Sequence, residues 1–111
     1  MWKTILKEKM LIPGVVAHID EAFGGLIMRK DGKRAGYVYF EDKGYVEIMD
    51  IFVEPQFRSL NIGSKAIEYL LEKYAGKEFR AKAVESAIPF WERLGFAARG
   101  DRGFTTLMIR R

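Results

Sequence analysis

The residues best suited to chemistry stand together where a strand-like segment gives way to a helix-like one. Arg58 carries a permanent positive charge, Ser59 and Ser64 offer hydroxyl donors, and Gly63 leaves room for a ligand to approach the backbone. Asn61 is of the type that, after glycine, most readily adopts a left-handed backbone conformation. Because a helix start presents free N–H groups and partial positive charge, this segment predicts a pyrophosphate-binding site. The alternative is an ordinary helix N-cap by Asn61 beside a surface arginine.

The composition predicts one compact domain, residues 1–111, that folds around its own core. The 111 residues are 49% hydrophobic, which is enough apolar surface for independent folding. The lack of cysteine and the single histidine, His18, argue against thiol chemistry and against a protein-bound zinc or iron site. The opening residues are interrupted by charges and a proline, so we expect neither a signal peptide nor a membrane span, and a cytoplasmic location.

Positive charge is concentrated in the second half of the chain. Residues 1–55 carry eight Lys or Arg against nine Asp or Glu, whereas residues 56–111 carry eleven against six. A basic surface attracts anions such as nucleic acid or phosphorylated cofactors, although an excess of this size is also common on ordinary solvated surfaces. Charge alone therefore leaves the ligand open.

Three predicted strands precede the candidate site. Asp31 and Gly32 between the first two predict a hairpin, and Pro55 ends the third, so the three form an antiparallel meander. These strands cover residues 24–30, 34–40 and 45–53. The earlier sequence is less distinct and suggests a strand within residues 3–9 and a helical turn within residues 18–23.

The hydrophobic period changes at Asn61, and the second half alternates helices with strands. Ile62, Ala66 and Leu70 recur on one helical face, and Gly76 ends that helix. The segments that follow are a strand at residues 78–84, a helix at residues 86–96 with Ser86 as its N-cap, and a hairpin of residues 96–100 and 104–111 that turns through residues 101–103. This order predicts an α/β or α+β domain.

The segment around Arg58 resembles the cofactor-binding motif of a known family. Nucleotide-binding loops of the types GxxxxGK and GxGxxG are missing from the sequence. The segment instead resembles motif A of the GNAT superfamily of acetyl-coenzyme A-dependent N-acetyltransferases, V-x-P-x-x-R-x-x-G-x-G. It stands here as Val53, Pro55, Arg58, Asn61 and Gly63, with Asn61 in place of the first glycine. Residues 87–96, AIPFWERLGF, resemble motif B, and the whole resemblance covers residues 24–111.

The resemblance implies a GNAT-like fold and acetyl-coenzyme A (acetyl-CoA) as cofactor, with no metal. The fold is a mixed, mostly antiparallel sheet with helices on both sides, an abbreviated N-terminal part, and a splay between the strands at 45–53 and 78–84. The implied activity is acetyl transfer to a primary amine by direct attack in a ternary complex. Pantetheine would lie in the splay and the pyrophosphate at the helix start. The implied cofactor-binding residues are Ile51, Phe52, Val53, Arg58, Ser59, Leu60, Asn61, Ile62, Gly63, Ser64, Phe90 and Trp91.

The resemblance also indicates an acidic strand residue as catalyst. Glu47 matches the strand glutamate that acts as general base in the histone acetyltransferase branch, and Asp50 is the second choice. In a regular strand Glu47 would share a face with Ile51 and Val53, and Asp50 would point to the other face. The alternative for Glu47 is a carboxylate that faces solvent or pairs with a basic neighbour. Trp91 stands where the family often has a tyrosine acid; it would pack against the cofactor, the acceptor or the core, leaving solvent or another tyrosine to protonate the thiolate.

The acceptor is the least defined part of the prediction. The family usually builds the acceptor site from helices between the first two strands, and only residues 10–23 are available here. So short a segment is expected to leave the acetyl end of the cleft open. The acceptor amine is then either a small molecule or part of a protein, and the open cleft favours a bulky acceptor or a site completed by the second subunit of a homodimer. Two other classes stay open: a non-catalytic acyl-CoA-binding domain, and a basic nucleic-acid-binding module that stacks bases on its aromatic side chains. The second is disfavoured because its basic residues are interspersed with acids.

Overall fold

A computed structural model describes residues 8–111, which form an eight-stranded sheet with the strand order β1-β2-β3-β4-β5-β6-β8-β7. The strands are β1 (Lys9–Ile12), β2 (Val15–Asp20), β3 (Gly25–Lys30), β4 (Lys33–Asp42), β5 (Val46–Val53), β6 (Phe79–Ala83), β7 (Ala97–Arg102) and β8 (Thr105–Arg110). The helices are α1 (Ile62–Lys73) and α2 (Ile88–Arg93), each preceded by a 3-10 helix, Pro55–Leu60 and Glu85–Ala87 respectively. The mixed α+β fold is the one that the sequence predicts.

Strands β1 to β5 form an antiparallel meander built on short turns. The turn between β3 and β4 has positive φ at both central residues, 50° at Asp31 and 84° at Gly32, as a type I′ hairpin requires. The predicted hairpin at these two residues is therefore confirmed. The local cause of this turn is that aspartate and glycine reach the left-handed backbone region more easily than most residues do.

The predicted splay lies between β5 and β6. These parallel strands pair only at Val46, Glu47 and Ile48, opposite Phe79, Arg80 and Ala81. Just beyond Ile48, β5 contains a bulge: Asp50 lies opposite Tyr39 and Ile48 opposite Phe40, so Met49 has no partner on β4. A bulge bends and twists its strand, and here it begins where the parallel pairing ends.

The two described helices share one hydrophobic core on one face of the sheet. Helix α1 buries Ile62, Ala66, Ile67 and Leu70, and α2 buries Trp91 in the same cluster. Each fully buried Leu or Ile side chain contributes about 1.5–3 kcal/mol relative to exposure.

Neither of the two predictions for residues 1–23 is confirmed. The strand expected within residues 3–9 falls largely outside the described residues, and β1 begins only at Lys9. The helical turn expected within residues 18–23 is wrong, because β2 continues to Asp20. There the Asp20 carboxylate accepts a hydrogen bond from the Phe23 N–H at 3.0 Å and the Asp20 carbonyl one from Gly24 N–H at 2.9 Å. These bonds close a tight turn that leads directly into β3.

Two boundaries in the second half also differ from prediction. Ser86 is not the N-cap of α2: it lies in the 3-10 helix, and α2 begins at Ile88 with no side-chain cap. Pro89 in the first helical turn has no N–H that a cap would satisfy. The C-terminal hairpin turns at Gly103 and Phe104 rather than at residues 101–103, and Gly103 takes the positive φ of 79°.

No helix within residues 8–111 has the length and apolar character needed to cross a membrane.

Candidate cofactor-binding and active site

The start of α1 has the geometry expected of an anion-binding helix end. Asn61 adopts the left-handed conformation, with φ 60° and ψ 27°, and its side chain does not cap the helix. The hydrogen bond from Lys65 N–H to the Asn61 carbonyl, at 3.1 Å, closes the first turn. The N–H groups ahead of Lys65, including those of Gly63 and Ser64, therefore have no intrahelical acceptor. The arrangement differs from the ordinary side-chain N-cap by Asn61 that the residues alone left open.

Arg58 is fixed beside this helix start. Its Nε donates a hydrogen bond to the Val53 carbonyl at 2.7 Å, and its guanidinium carbon lies 5.4 Å from the centre of the Phe52 ring. The Nε bond uses one of the five guanidinium N–H groups, so four remain for an anion. Arg58 is exposed, so its charge is accessible to a ligand from solvent.

A cavity of about 360 Å³ opens beside Arg58 and the splay. Its lining residues are Ile51, Phe52, Val53, Arg58, Ala87, Phe90 and Trp91. All of these except Ala87 are among the twelve predicted cofactor residues. A larger cavity, of about 440 Å³, lies away from the splay, between the C-terminal part of α1 and the last residues of the chain.

Gly63 keeps the space between α1, β5 and α2 open. A Cβ at this position would lie 3.5 Å from Ile51 Cδ1, 3.6 Å from Val53 Cγ2 and 3.8 Å from a ring carbon of Phe90. These are ordinary contact distances, so even one methyl group would fill the gap. The residues present thus fit a narrow, extended ligand that passes from this gap to the uncapped helix start.

The other predicted cofactor residues fall into two groups. Ser59 and Leu60 are exposed at the end of the 3-10 helix. Ile62 is 1% exposed and belongs to the core, so only its backbone is available to a ligand. Trp91 is also in the core, edge-on to Phe96 with ring centres 5.0 Å apart, although it reaches the cavity wall.

Glu47 lies in a basic environment on β5. Its carboxylate accepts a hydrogen bond from Lys43 Nζ at 2.8 Å. This bond holds the pKa of Glu47 below its usual value, and the charges of Lys82 and Arg80 lower it further. A carboxylate with a lowered pKa stays ionised at neutral pH but is a weaker base.

Asp50 lies on the same face of the sheet as Glu47, and the prediction that it points to the other face is wrong. The bulge at Met49 adds one residue, which shifts the alternation of β5 so that Glu47 and Asp50 both face away from the helices. Ile51 and Val53 instead pack towards the core.

Tyr37 is a neighbour of Asp50 that sequence reasoning missed. Its hydroxyl donates a hydrogen bond to Asp50 Oδ2 at 3.1 Å. Burial and this bond to a carboxylate both raise the pKa of Tyr37 above its ordinary value. Tyr37 and Tyr39, two residues apart on a predicted strand, were a visible sign of an aromatic face. The third aromatic residue, Phe23, lies in the segment where the sequence predicted a helical turn instead of the tight turn observed.

His18, which sequence reasoning left without a function, is 9% exposed on β2. Its Nδ1 has no hydrogen-bond partner among the described residues. It lies outside the helix-side core, opposite Ile27 on β3.

Comparisons with known proteins agree with this geometry. The chain belongs to the acetyltransferase (GNAT) family, whose model matches residues 4–96. No curated protein matches the sequence significantly. Among solved structures the fold is similar to that of PH1933 from Pyrococcus horikoshii, with a TM-score of 0.71 and 22% identity over 81% of this chain and 66% of the other.

Two further neighbours were solved with cofactor-related ligands. PaiA N-acetyltransferase from Thermoplasma acidophilum, in complex with coenzyme A, has a TM-score of 0.69 and 17% identity over 78% of this chain and 59% of the other. Arabidopsis thaliana Naa50, in complex with the bisubstrate analogue CoA-Ac-MVNAL, has a TM-score of 0.66 and 18% identity over 78% and 72%. The present chain thus spans less than two thirds of the length of PH1933 and PaiA.

Proposed function

We propose that this protein transfers an acetyl group from acetyl-CoA to a primary amine. The observation that carries the proposal is the gap that Gly63 keeps open beside the splayed strands and the uncapped start of α1. Membership of the GNAT acetyltransferase family supports acetyl-CoA as the donor. The coenzyme A in PaiA and the bisubstrate analogue in Naa50 are consistent with the same donor and with an amine acceptor.

The cofactor would be held by backbone groups and by one arginine. The pyrophosphate would accept hydrogen bonds from the N–H groups of residues 61–64, with Arg58 supplying charge and Ser59 and Ser64 hydroxyl groups. Pantetheine would extend along β5 near Ile51 and Val53, where the edge facing β6 has no strand pairing. Its amide groups would then replace the missing strand as hydrogen-bond partners.

The reaction would be a direct transfer in a ternary complex. The neutral amine nitrogen attacks the thioester carbonyl carbon, the N–C bond forms, and the C–S bond breaks. A base takes the proton that the amine loses, and the departing thiolate takes a proton from an acid or from solvent. The products are the N-acetylated amine and free coenzyme A.

Asp50 is our first choice for the base, and Glu47 becomes the second. Glu47 is occupied by Lys43 and has a lowered pKa, whereas the Asp50 carboxylate accepts only the neutral hydroxyl of Tyr37 among the described residues. Because the Tyr37 pKa is raised, this phenol stays protonated at neutral pH and can donate its hydrogen bond to Asp50.

A thermal shift assay with acetyl-CoA, coenzyme A and ATP tests the proposal. A ligand that binds only the native state stabilises it by about 2.7 kcal/mol at one hundred times its Kd. Both coenzyme A forms should raise the melting temperature more than ATP does at equal concentration. An unchanged melting temperature with both forms would contradict the proposal.

A non-catalytic acyl-CoA-binding domain is the second candidate. The ion pair that occupies Glu47 and the position of Trp91 in the core, where the family often has a tyrosine acid, favour it. Mass-spectrometric detection of amine acetylation separates the two functions. Tight binding of acetyl-CoA without any acetylated amine would select the non-catalytic function.

A further inference from the structure

A cavity of about 240 Å³, called the second cavity to distinguish it from the proposed cofactor cavity, opens on the face of the sheet away from the helices. Its lining residues are Phe23, Gly24, Tyr39, Phe40, Glu41 and Met49. Met49 is two positions from Ile51, which lines the proposed cofactor cavity. Two residues of strand span roughly 7 Å, so the two cavities approach each other across β5 at the bulge.

The walls of this second cavity are apolar and partly exposed. The Phe23 ring stacks on Tyr39 with ring centres 4.7 Å apart, and Tyr37 lies 4.8 Å from Tyr39. Tyr39 is 37% exposed and Met49 is 56% exposed. The exposure of two large side chains, Tyr39 and Met49, within one small cavity indicates a surface that a ligand can cover.

Two carboxylates lie in or beside the wall of the cavity. Glu41 lies in its wall, and Asp50 is the cross-strand partner of Tyr39 with no ion pair among the described residues. Lys43 is the nearest basic group to Glu41 at 3.9 Å, but it is closer to Glu47, at 2.8 Å.

The aromatic cluster of Phe23, Tyr37 and Tyr39 already contacts one cation. The Arg34 guanidinium carbon lies 5.4 Å from the centre of the Phe23 ring. Aromatic faces attract ammonium groups by the same electrostatic interaction. The cluster therefore combines a surface for an apolar group with two carboxylates for a positive one.

We propose that this second cavity binds the acceptor, and that the acceptor is a primary amine carried next to an apolar group. Phe23, Tyr39 and Met49 hold the apolar group, and the carboxylates of Asp50 and Glu41 attract the ammonium form of the amine. The acceptor role rests on the proposed acetyl transfer. A small arylalkylamine and the first residue of a peptide that begins with phenylalanine present the same chemistry.

The test is a binding measurement on the whole chain saturated with coenzyme A. Methionine methyl groups are labelled with ¹³C, and the Met49 signal is assigned with a Met49→Leu variant. Met10 is the matched control, because it is 62% exposed on β1, at the opposite edge of the antiparallel meander. Phenethylamine, ethylamine, phenylacetate and a phenylalanine-first tetrapeptide are titrated in turn.

Phenethylamine or the tetrapeptide should shift the Met49 signal saturably while Met10 stays in place. Ethylamine lacks the ring and phenylacetate carries the opposite charge, so each should bind at least tenfold more weakly. Whichever of phenethylamine and the peptide binds more tightly identifies the source of the amine. A Tyr39→Ala variant should weaken phenethylamine binding about tenfold, with Tyr39→Leu as the substitute should the alanine variant fail to fold.

Three results would overturn the inference: no shift of Met49, equal shifts of Met49 and Met10, or equal binding of phenylacetate and phenethylamine. Each is distinct from failure of the proposed function, which would appear as the absence of coenzyme A binding in the thermal shift assay or as the absence of acetylated amine in the mass spectrum. A protein that binds coenzyme A but neither phenethylamine nor the tetrapeptide keeps the first proposal and loses this one.

Discussion

Replacing Gly63 by alanine should make the protein more stable and its cofactor binding weaker. Gly63 is the second residue of α1, and its φ is not positive, so alanine can adopt the same conformation. The new methyl group would meet Ile51, Val53 and Phe90 at 3.5–3.8 Å, without a clash. A glycine-to-alanine change at a compatible position stabilises by about 0.4–1 kcal/mol. This corresponds to a rise in melting temperature of about 2–8 °C for a domain of this size.

The same methyl group occupies the gap that we assign to pantetheine. The affinity for coenzyme A should fall at least tenfold, or about 1.4 kcal/mol. Isothermal titration calorimetry gives the affinity, and denaturation of the free protein gives the stability. Glu72→Ala, at an exposed position in the same helix, is the control and should leave the affinity unchanged.

Two outcomes would refute this reasoning about Gly63. A stabilised variant that binds coenzyme A as tightly as the wild type would mean that the ligand does not pass through the gap. A destabilised variant would mean that the space between α1, β5 and α2 is too small for a methyl group.

Three further predictions concern the turn, the acid stability and the base. Asn61 holds a φ of 60°, so Asn61→Ala should cost roughly 1–2 kcal/mol of unfolding free energy in a urea titration, whereas Asn61→Gly should be close to neutral. Basic partners hold the pKa values of Asp42, Glu47 and Glu78 below their ordinary values of 3.8, 4.5 and 4.5. A carboxylate whose pKa is lower in the folded state stabilises the protein above its ordinary pKa, and this stabilisation is lost as the pH falls. The melting temperature should therefore fall as the pH drops below 4.5, and it should fall less steeply in a Glu47→Gln variant. Asp50→Asn should lower kcat for acetyl transfer by roughly 10²–10⁴-fold, whereas an Asp50→Asn enzyme with the wild-type rate would exclude Asp50 as base.

The parts of the fold that the sequence predicted are those fixed by neighbouring residues. Asp31 and Gly32 set a hairpin, Pro55 ends a strand, and the spacing of Ile62 and Leu70 defines a helix. The left-handed conformation of Asn61 follows from its own side chain and needs no tertiary context. The helix start with its anion-binding groups is contiguous in sequence, which is why it could be described before the structure was known.

The parts that could not be predicted depend on contacts between distant segments. The bulge at Met49 is a property of the register between β4 and β5, which is a pairing of two strands and not a pattern within one of them. It decides the face of every later side chain on β5, so it brings Asp50 to the side of Glu47 and Tyr37. Phe23 was missed for a different reason, because its N–H bonds to the Asp20 carboxylate only three residues earlier, in a local turn that the sequence analysis took for a helical turn.

The bulge at Met49 and the splay between β5 and β6 adjoin each other on β5. Parallel pairing of β5 with β6 stops at Ile48, and the extra residue follows at once. Beyond it, the β6-facing edge of β5 carries backbone groups that no strand of the described chain satisfies, and such groups need partners. An extended ligand with its own amides can satisfy them, as an added strand would. The cavity beside Met49 lies at the same bend on the opposite face, so one local irregularity would give the proposed donor and the proposed acceptor adjacent places on a single strand.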